Sequence, residues 1–293
     1  MHQVEFTNLN KVFWPEGLTK YDLTKYYLEV APVLLPHLFN RPLVLKRYPN
    51  GITGDFFYQK ECPDHAPPWV ETLPVVHHES GKTINYVLCN NQETLAWLAN
   101  LGCIEIHAWL SRAERIEYPD LAVIDLDPSD GTTFNDVLEI AALVHTALEG
   151  FGIKGYPKTS GATGLHIFIP LRPRWSFSEV TAAMKKLAGL IVDIYPKKAT
   201  IERLTKDRRG KVYLDFLQNT RGRSMAFPYS LRPLPGAPVS TPLTWEEVYA
   251  QKIRPEYFTL RTLLNRLQQK GDLYSDLLET ANDLSPLVPA VKV

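Results

Sequence analysis

Between residues 121 and 217 the spacing of apolar positions changes several times, and each change predicts an element. In LAVIDLD (121–127), Ala122, Ile124 and Leu126 fall on one face of a strand, and Asp125 and Asp127 on the other. FNDVLEIAALVHTALEG (134–150) repeats at helical spacing, with Val137, Ile140, Ala141, Val144 and Leu148 in phase. A short strand over 153–158, a turn and a strand LHIFIPL (165–171) follow. SEVTAAMKKLAGLIVDIY (178–195) predicts a second helix, and KVYLDFL (211–217) the last strand.

That order, β-α-β-β-α-β, is the split βαβ arrangement of ferredoxin-like and RNA-recognition folds, an α+β class. In it the first strand lies centrally, between the third and the fourth. Ala122, Ile124, Leu126, Leu165, Ile167, Ile169, Val212, Leu214 and Phe216 then face the two helices. The opposite face carries Asp125, Asp127, His166 and Asp215, three carboxylates and a histidine from three neighbouring strands.

The first 110 residues mix elements. Thr19 to Asp22 has the form of a capping box, opening a helix with Leu23, Tyr26, Tyr27 and Val30 on its apolar side. PLVLKRY (42–48) reads as a strand. Asn90 and Glu93 open a helix through Leu95 and Leu98, closed by Gly102, and CIEIHAW (103–109) alternates as a strand. The expected division is one domain over 1–293, made of an N-terminal α/β subdomain (1–117), a catalytic split-βαβ subdomain (118–235) and a C-terminal helical segment (236–293).

Composition adds exclusions. With 45% hydrophobic and 22% charged residues, the chain has the make-up of a soluble globular protein. No apolar run approaches the roughly 20 residues that span a bilayer, and the first residues lack the apolar core of a signal peptide. Cys62, Cys89 and Cys103 are scattered and odd in number, which argues against a disulfide framework. A cytoplasmic protein is expected. Its 32 basic and 32 acidic residues balance, so indiscriminate adhesion to polyanions is not expected. The stretch 194–232 nonetheless holds ten Lys or Arg against Glu202, Asp207 and Asp215, either a solvated face or a place for a phosphate-rich ligand.

Two carboxylates side by side raise each other's pKa unless a cation lies between them. An all-oxygen set suits Mg²⁺ or Mn²⁺, and two such ions about 4 Å apart align an attacking oxygen with a leaving pyrophosphate. Taken singly, Asp127 reads as the start of the turn at Pro128 and Asp215 as the partner of a nearby arginine. Taken together, they read as a metal site. In KTSGATGLH (158–166), Ser160, Gly161 and Gly164 allow backbone N–H groups to approach a phosphate, and His166 follows on the same face as the acids. By itself that stretch is a common glycine-containing hairpin.

VIDLDP, KTSGATGLHIFIPL, GKVYLDFLQN and PYSLRP (228–233), in this order, resemble the polymerase domain of bacterial and archaeal ligase D. That family lies within the archaeo-eukaryotic primase superfamily and serves non-homologous end joining. NKVFWPEGLTKYDLTKYY, RPLVLKRYPNG and CIEIHAWLSR match it upstream, so the resemblance runs from about Phe6 to about Arg266. It implies a primase-polymerase whose N-terminal subdomain closes the active cleft. Asp125, Asp127 and Asp215 would bind two Mn²⁺ or Mg²⁺ ions, with Asp215 also assisting the primer 3′-hydroxyl. Ser160, His166, Arg232 and Lys46 would hold the triphosphate of an NTP or dNTP, and His107 would lie near its sugar or phosphates. Arg208 and Gln218 would contact nucleotide or primer. Asn8, Lys11 and Lys20 match a pocket for a DNA 5′-phosphate, and Phe57 an aromatic that stacks on bases. The implied partners are gapped or 3′-overhanging DNA ends, Ku and a DNA ligase, without a membrane. Relatives often carry Lys where this chain has Thr163, which removes one phosphate contact. No ligase or nuclease motif accompanies the domain, so a stand-alone polymerase and an excised domain are both open.

Three other readings compete. DLDPSDGT resembles the signature of haloacid dehalogenase-type phosphohydrolases, although Asp125 lies far from the N-terminus and Pro128 replaces the glycine of that motif. A non-catalytic nucleic-acid module could use the same topology, but its sheet face would present aromatics rather than acids. Zinc at Cys62 and His65 with His77 and His78 would need a poor ligand spacing.

Overall fold

Thr19 accepts the Asp22 amide, and Asp22 accepts the Thr19 N–H, so the expected capping box starts the first helix. The computed structural model describes residues 3–77 and 81–288. Its elements begin with α1 (Lys20–Leu38), β1 (Leu43–Arg47), β2 (Phe57–Gln59), β3 (Thr72–His77), β4 (Lys82–Val87), α2 (Gln92–Asn100) and β5 (Cys103–Trp109). Next come β6 (Leu121–Pro128), α3 (Phe134–Gly150), β7 (Tyr156–Thr159), β8 (Leu165–Pro170), α4 (Phe177–Ile194), β9 (Ala199–Thr200) and β10 (Val212–Asp215). The last are β11 (Ser224–Ala226), α5 (Trp245–Ala250), α6 (Leu263–Lys270) and α7 (Ser275–Glu279).

The described chain forms two compact units. The first takes residues up to Glu114 together with Ser224–Ser240 and Phe258–Gly271. The second takes Arg115–Arg223, Thr241–Tyr257 and the residues from Asp272. This departs from the expected division. Residues 224–235 join the first unit because β11 pairs with β5, and the segment from 236 is shared between both units rather than forming one of its own.

In the first unit the sheet order is β11-β5-β1-β2, with β3 and β4 as a separate hairpin. Helix α1 buries Leu23, Tyr26, Tyr27, Val30 and Leu34, and the Tyr27 hydroxyl donates to the Ile104 carbonyl of β5 at 2.6 Å. Asn91, not Asn90, caps α2; Asn90 instead donates to Asn40 and Glu71. Strand β5 does not alternate in burial as its sequence predicts. Every residue of it except the half-buried His107 is buried, Glu105 included, because both of its faces are covered.

In the second unit the sheet order is β7-β8-β6-β10-β9, so β6 lies between β8 and β10. Capping boxes at Thr133–Asp136 and Ser176–Glu179 open α3 and α4. Val137, Ile140, Val144 and Leu148 of α3 and Val180, Met184, Leu187 and Ile191 of α4 are fully buried, as are Ile124, Leu126, Ile167 and Leu214 of the sheet. The second predicted strand of this unit starts at Tyr156 rather than 153, and the last ends at Asp215 rather than 217. The early end is set by side-chain hydrogen bonds. Asp215 accepts the Leu217 N–H, and the Asn219 side chain bonds the N–H and C=O of Val123, so the chain turns across β6.

Candidate active site

The register of the second unit aligns one row of polar side chains across four strands. Lys158 of β7 stands opposite His166 of β8, His166 opposite Asp125 of β6, and Asp125 opposite Asp215 of β10. Directly paired residues point to the same face, so the row is a continuous strip. Lys158 Nζ lies 2.8 Å from His166 Nδ1, and His166 Nε2 lies 3.3 Å from Asp125 Oδ1. Lys158, His166 and Asp125 are all buried. Asp127, two residues beyond Asp125, lies on the same face with Tyr213 as its partner on β10.

The turn 160–164 closes onto this strip. Ser160 Oγ accepts the N–H groups of Ala162 and Gly164, at 3.1 and 3.0 Å, and the Ser160 N–H donates to the Gly164 carbonyl. Both N–H groups therefore point at the serine hydroxyl. Gly161 has φ of 76°, the left-handed region that glycine permits. Gly164 is required for another reason: a Cβ there would stand 2.3 Å from the Leu126 carbonyl and 3.3 Å from Asp127 Oδ1. The turn lies against the backbone that carries the acids, and Thr163 is exposed.

The donor set suits a hard divalent cation: three carboxylates on one sheet face, two of them directly opposite each other. Among the described residues, no group of three or more His, Cys, Asp or Glu already stands in a ligating arrangement. Asp215 shows why. Its Oδ1 accepts the Leu217 N–H at 2.9 Å and the Tyr213 hydroxyl at 3.3 Å, and its Oδ2 accepts the Gln218 amide at 3.1 Å. Burial, followed by the charge of Asp215, pushes the Tyr213 phenol up to about 12, so it remains a donor at neutral pH.

Three predicted residues of the first unit converge on one acid that the sequence reading passed over. Glu105 Oε2 lies 3.3 Å from Lys46 Nζ and 2.8 Å from His107 Nε2, and Glu105 Oε1 lies 3.1 Å from Arg232 Nε. Burial alone would raise the Glu105 pKa. The His107 hydrogen bond and the charges of Arg232 and Lys46 outweigh it and hold the carboxyl down at about 2. Burial is also the main cause that lowers the His107 pKa. Lys46 has the rings of Tyr48, Phe56 and Tyr58 within 5.5, 4.8 and 5.7 Å of its ammonium. The result is a small cationic site anchored by a buried anion.

The remaining predicted residues are more scattered. The Arg208 guanidinium stacks on the Tyr213 ring at 3.4 Å and donates to the backbone carbonyls of Glu202 and Arg203. Gln218 is the amide on Asp215. Lys20 is buried, donates to the Thr7 carbonyl at 2.7 Å, and has its pKa lowered by burial and then by the charge of Lys11. Lys11 is exposed and donates to Asn50; with Asn8 it lines an open depression. Phe57 is exposed beside Phe56 and Tyr58, with the Arg47 guanidinium 5.1 Å from its ring. Of the zinc candidates, His78 lies outside the described residues, and His77 bonds the Tyr86 hydroxyl.

Glu105, Lys158 and Tyr213 were not singled out in the sequence. Each carried a faint signal: a charged or hydroxyl-bearing side chain at a strand position otherwise filled by apolar residues.

Comparison with known proteins adds to this geometry. Residues 19–274 match the family described as LigD, primase-polymerase domain. The multifunctional non-homologous end joining protein LigD of Mycolicibacterium smegmatis is 34% identical over 278 residues, which is 94% of this chain and 36% of the relative. The bifunctional non-homologous end joining protein LigD of Bacillus subtilis is 34% identical over 283 residues, 96% of this chain and 45% of that protein. The chain thus spans less than half the length of these curated relatives. Among solved structures, the polymerase domain from Mycobacterium tuberculosis ligase D in complex with DNA superposes with a TM-score of 0.89 at 32% identity. It covers 96% of this chain and 99% of its own. Neither the phosphohydrolase nor the non-catalytic reading gains support from these matches. The chain belongs to the LigD primase-polymerase domain family, a family of nucleotidyltransferases.

Proposed function

We propose that the chain adds NTPs or dNTPs, directed by a template, to a primer 3′-hydroxyl at gaps and broken DNA ends in non-homologous end joining. The observation that carries this reading is the pairing of Asp125 with Asp215 on adjacent strands, with Asp127 beside them and the Ser160–Gly164 turn packed against the same backbone. In the proposed reaction the primer 3′-oxygen bonds the α-phosphorus, the α–β anhydride bond breaks, and pyrophosphate leaves. Asp215 assists by drawing on the proton of the 3′-hydroxyl. Asp125, Asp127 and Asp215 would hold two Mn²⁺ or Mg²⁺ ions, which supply charge stabilisation to the transferring phosphate.

Ser160, His166, Lys46 and Arg232 are proposed to hold the triphosphate, His107 to lie near the sugar or phosphates, and Arg208 and Gln218 to order nucleotide or primer. The exposed rings of Phe56, Phe57 and Tyr58 support base stacking, which tolerates any sequence because every base has a π-face. Lys11 and Lys20, close enough that one lowers the other's pKa, support a site for a DNA 5′-phosphate next to Asn8. Ku and a DNA ligase, as separate chains or further domains, are the proposed partners, and the cytoplasm the proposed compartment. Among the described residues no helix is long and apolar enough to cross a membrane.

The test is nucleotide incorporation on gapped and overhanging DNA, with and without Mn²⁺, beside a phosphatase assay on the same protein. Metal-dependent primer extension without phosphatase turnover is the expected result. Phosphate release with no extension would overturn the proposal.

A further inference from the structure

We propose that Tyr213 is a positioning residue, holding the metal-ligating carboxylate of Asp215 with its hydroxyl and the basic loop 202–209 with its ring. The inference rests on the metal-site reading above and extends it to a residue outside the ligand set. Tyr213 precedes Asp215 by two positions on β10 and pairs with Asp127 across to β6, so it shares the face of the three acids. Its side chain is almost fully enclosed, with 3% of the residue exposed.

The two parts of the side chain have separate partners. The hydroxyl lies 3.3 Å from Asp215 Oδ1. The ring carries the Arg208 guanidinium at 3.4 Å, and Arg208 in turn donates to the carbonyls of Glu202, at 2.7 Å, and Arg203, at 2.5 Å. Arg208 thereby ties the loop that bears Arg203, Lys206 and Arg209 to the strand that ends in Asp215. Phenylalanine would fill the same space and stack equally well on a guanidinium, so packing does not require the hydroxyl. Its role lies with Asp215. A carboxylate fixed by a neighbouring donor meets its cation with less loss of side-chain freedom, and such outer hydrogen bonds tune metal affinity.

The experiment titrates the metal-free full chain with Mn²⁺, following free Mn²⁺ by electron paramagnetic resonance, for the wild type, Tyr213→Phe, Tyr213→Leu and Asp215→Asn. Tyr213→Phe is expected to weaken the Asp215-dependent Mn²⁺ site about ten-fold, the lower end for loss of an outer hydrogen bond. It should leave tryptic cleavage within 202–209 at the wild-type rate. Tyr213→Leu should weaken Mn²⁺ similarly and also accelerate that cleavage. Mn²⁺ affinity of Tyr213→Phe within two-fold of wild type, or tighter, would overturn the role of the hydroxyl. Unchanged cleavage in Tyr213→Leu would overturn the role of the ring. Mn²⁺ binding indifferent to Asp215→Asn would overturn the metal site itself, an outcome distinct from both.

Discussion

Lys46 and Glu105 stand directly opposite each other on neighbouring antiparallel strands, with the ammonium 3.3 Å from a carboxylate that is 1% exposed. His107 and Arg232 bind the same carboxylate, so one buried anion positions three groups that are proposed to meet a nucleotide. The Glu105 pKa, about 2 in the folded chain, lies below its usual 4.5. A depressed carboxylate pKa adds stability that is complete above the usual value and is lost as pH falls towards the folded one. Wild-type urea midpoints should therefore decline between pH 4.5 and 2. Glu105→Gln should already be about 3 kcal/mol less stable at pH 7, with a flatter profile in that window. Parallel pH profiles of the two proteins would show that Glu105 is not the anchor.

Asp125→Ala, Asp127→Ala and Asp215→Ala should each abolish primer extension with Mg²⁺ and with Mn²⁺ while retaining the fold. In EDTA, relief of repulsion between the acids is opposed by lost hydrogen bonds, so Asp215→Ala, which leaves the Leu217 N–H, the Tyr213 hydroxyl and the Gln218 amide without their acceptor, should have the lowest thermal midpoint of the three. Full extension by any of the three variants would remove that residue from the proposed site.

Gly164→Ala tests the seat of the turn. The added methyl would stand 2.3 Å from the Leu126 carbonyl, a backbone atom that cannot yield without moving β6. A loss of about 1–3 kcal/mol is expected, with extension impaired because Asp127 is the next residue on that strand. Ser160→Ala leaves the N–H groups of Ala162 and Gly164 without their shared acceptor, so it should cost about 1–2 kcal/mol and weaken nucleotide binding. His166→Ala should weaken nucleotide binding about ten-fold or more if it meets a phosphate. Denaturant midpoints read alongside nucleotide affinity separate the two kinds of effect.

End recognition should split between the two lysines. Lys11 is exposed, and Lys11→Ala should remove the preference for a downstream 5′-phosphate over a 5′-hydroxyl with little change in stability. Lys20 also holds the Thr7 carbonyl, so Lys20→Ala should lose the same preference and loosen the N-terminal segment. The phosphate is compact and doubly charged, so its advantage should persist in moderate salt. Equal affinities of the wild type for both DNA ends would rule the pocket out.

Much of the second unit was legible in the chain. The helices 134–150 and 178–195 fall within one residue of α3 and α4, because capping boxes and apolar spacing are written in neighbouring residues. The period of two placed Asp125 and Asp127 on one face for the same reason, and the order of elements fixed which strands could be neighbours. Strand ends were less legible. Strand β10 stops at Asp215 because Asn219 reaches Val123, a residue 96 positions away in sequence.

By itself, then, the sequence determined the properties that depend on local spacing: the identity of the elements, the faces of each strand, the three acids and the motifs of the family. Only the tertiary structure decided which side chains answer one another across strands. Pairing register set Lys158, His166, Asp125 and Asp215 in one row, and put Glu105 beneath Lys46, His107 and Arg232. It also showed Ser160 Oγ drawing in the N–H groups of its own turn, and Arg208 resting on Tyr213. The physical reason is that a buried charge must find its partner wherever the fold brings one, and strand register is set by pairings between residues far apart in the chain.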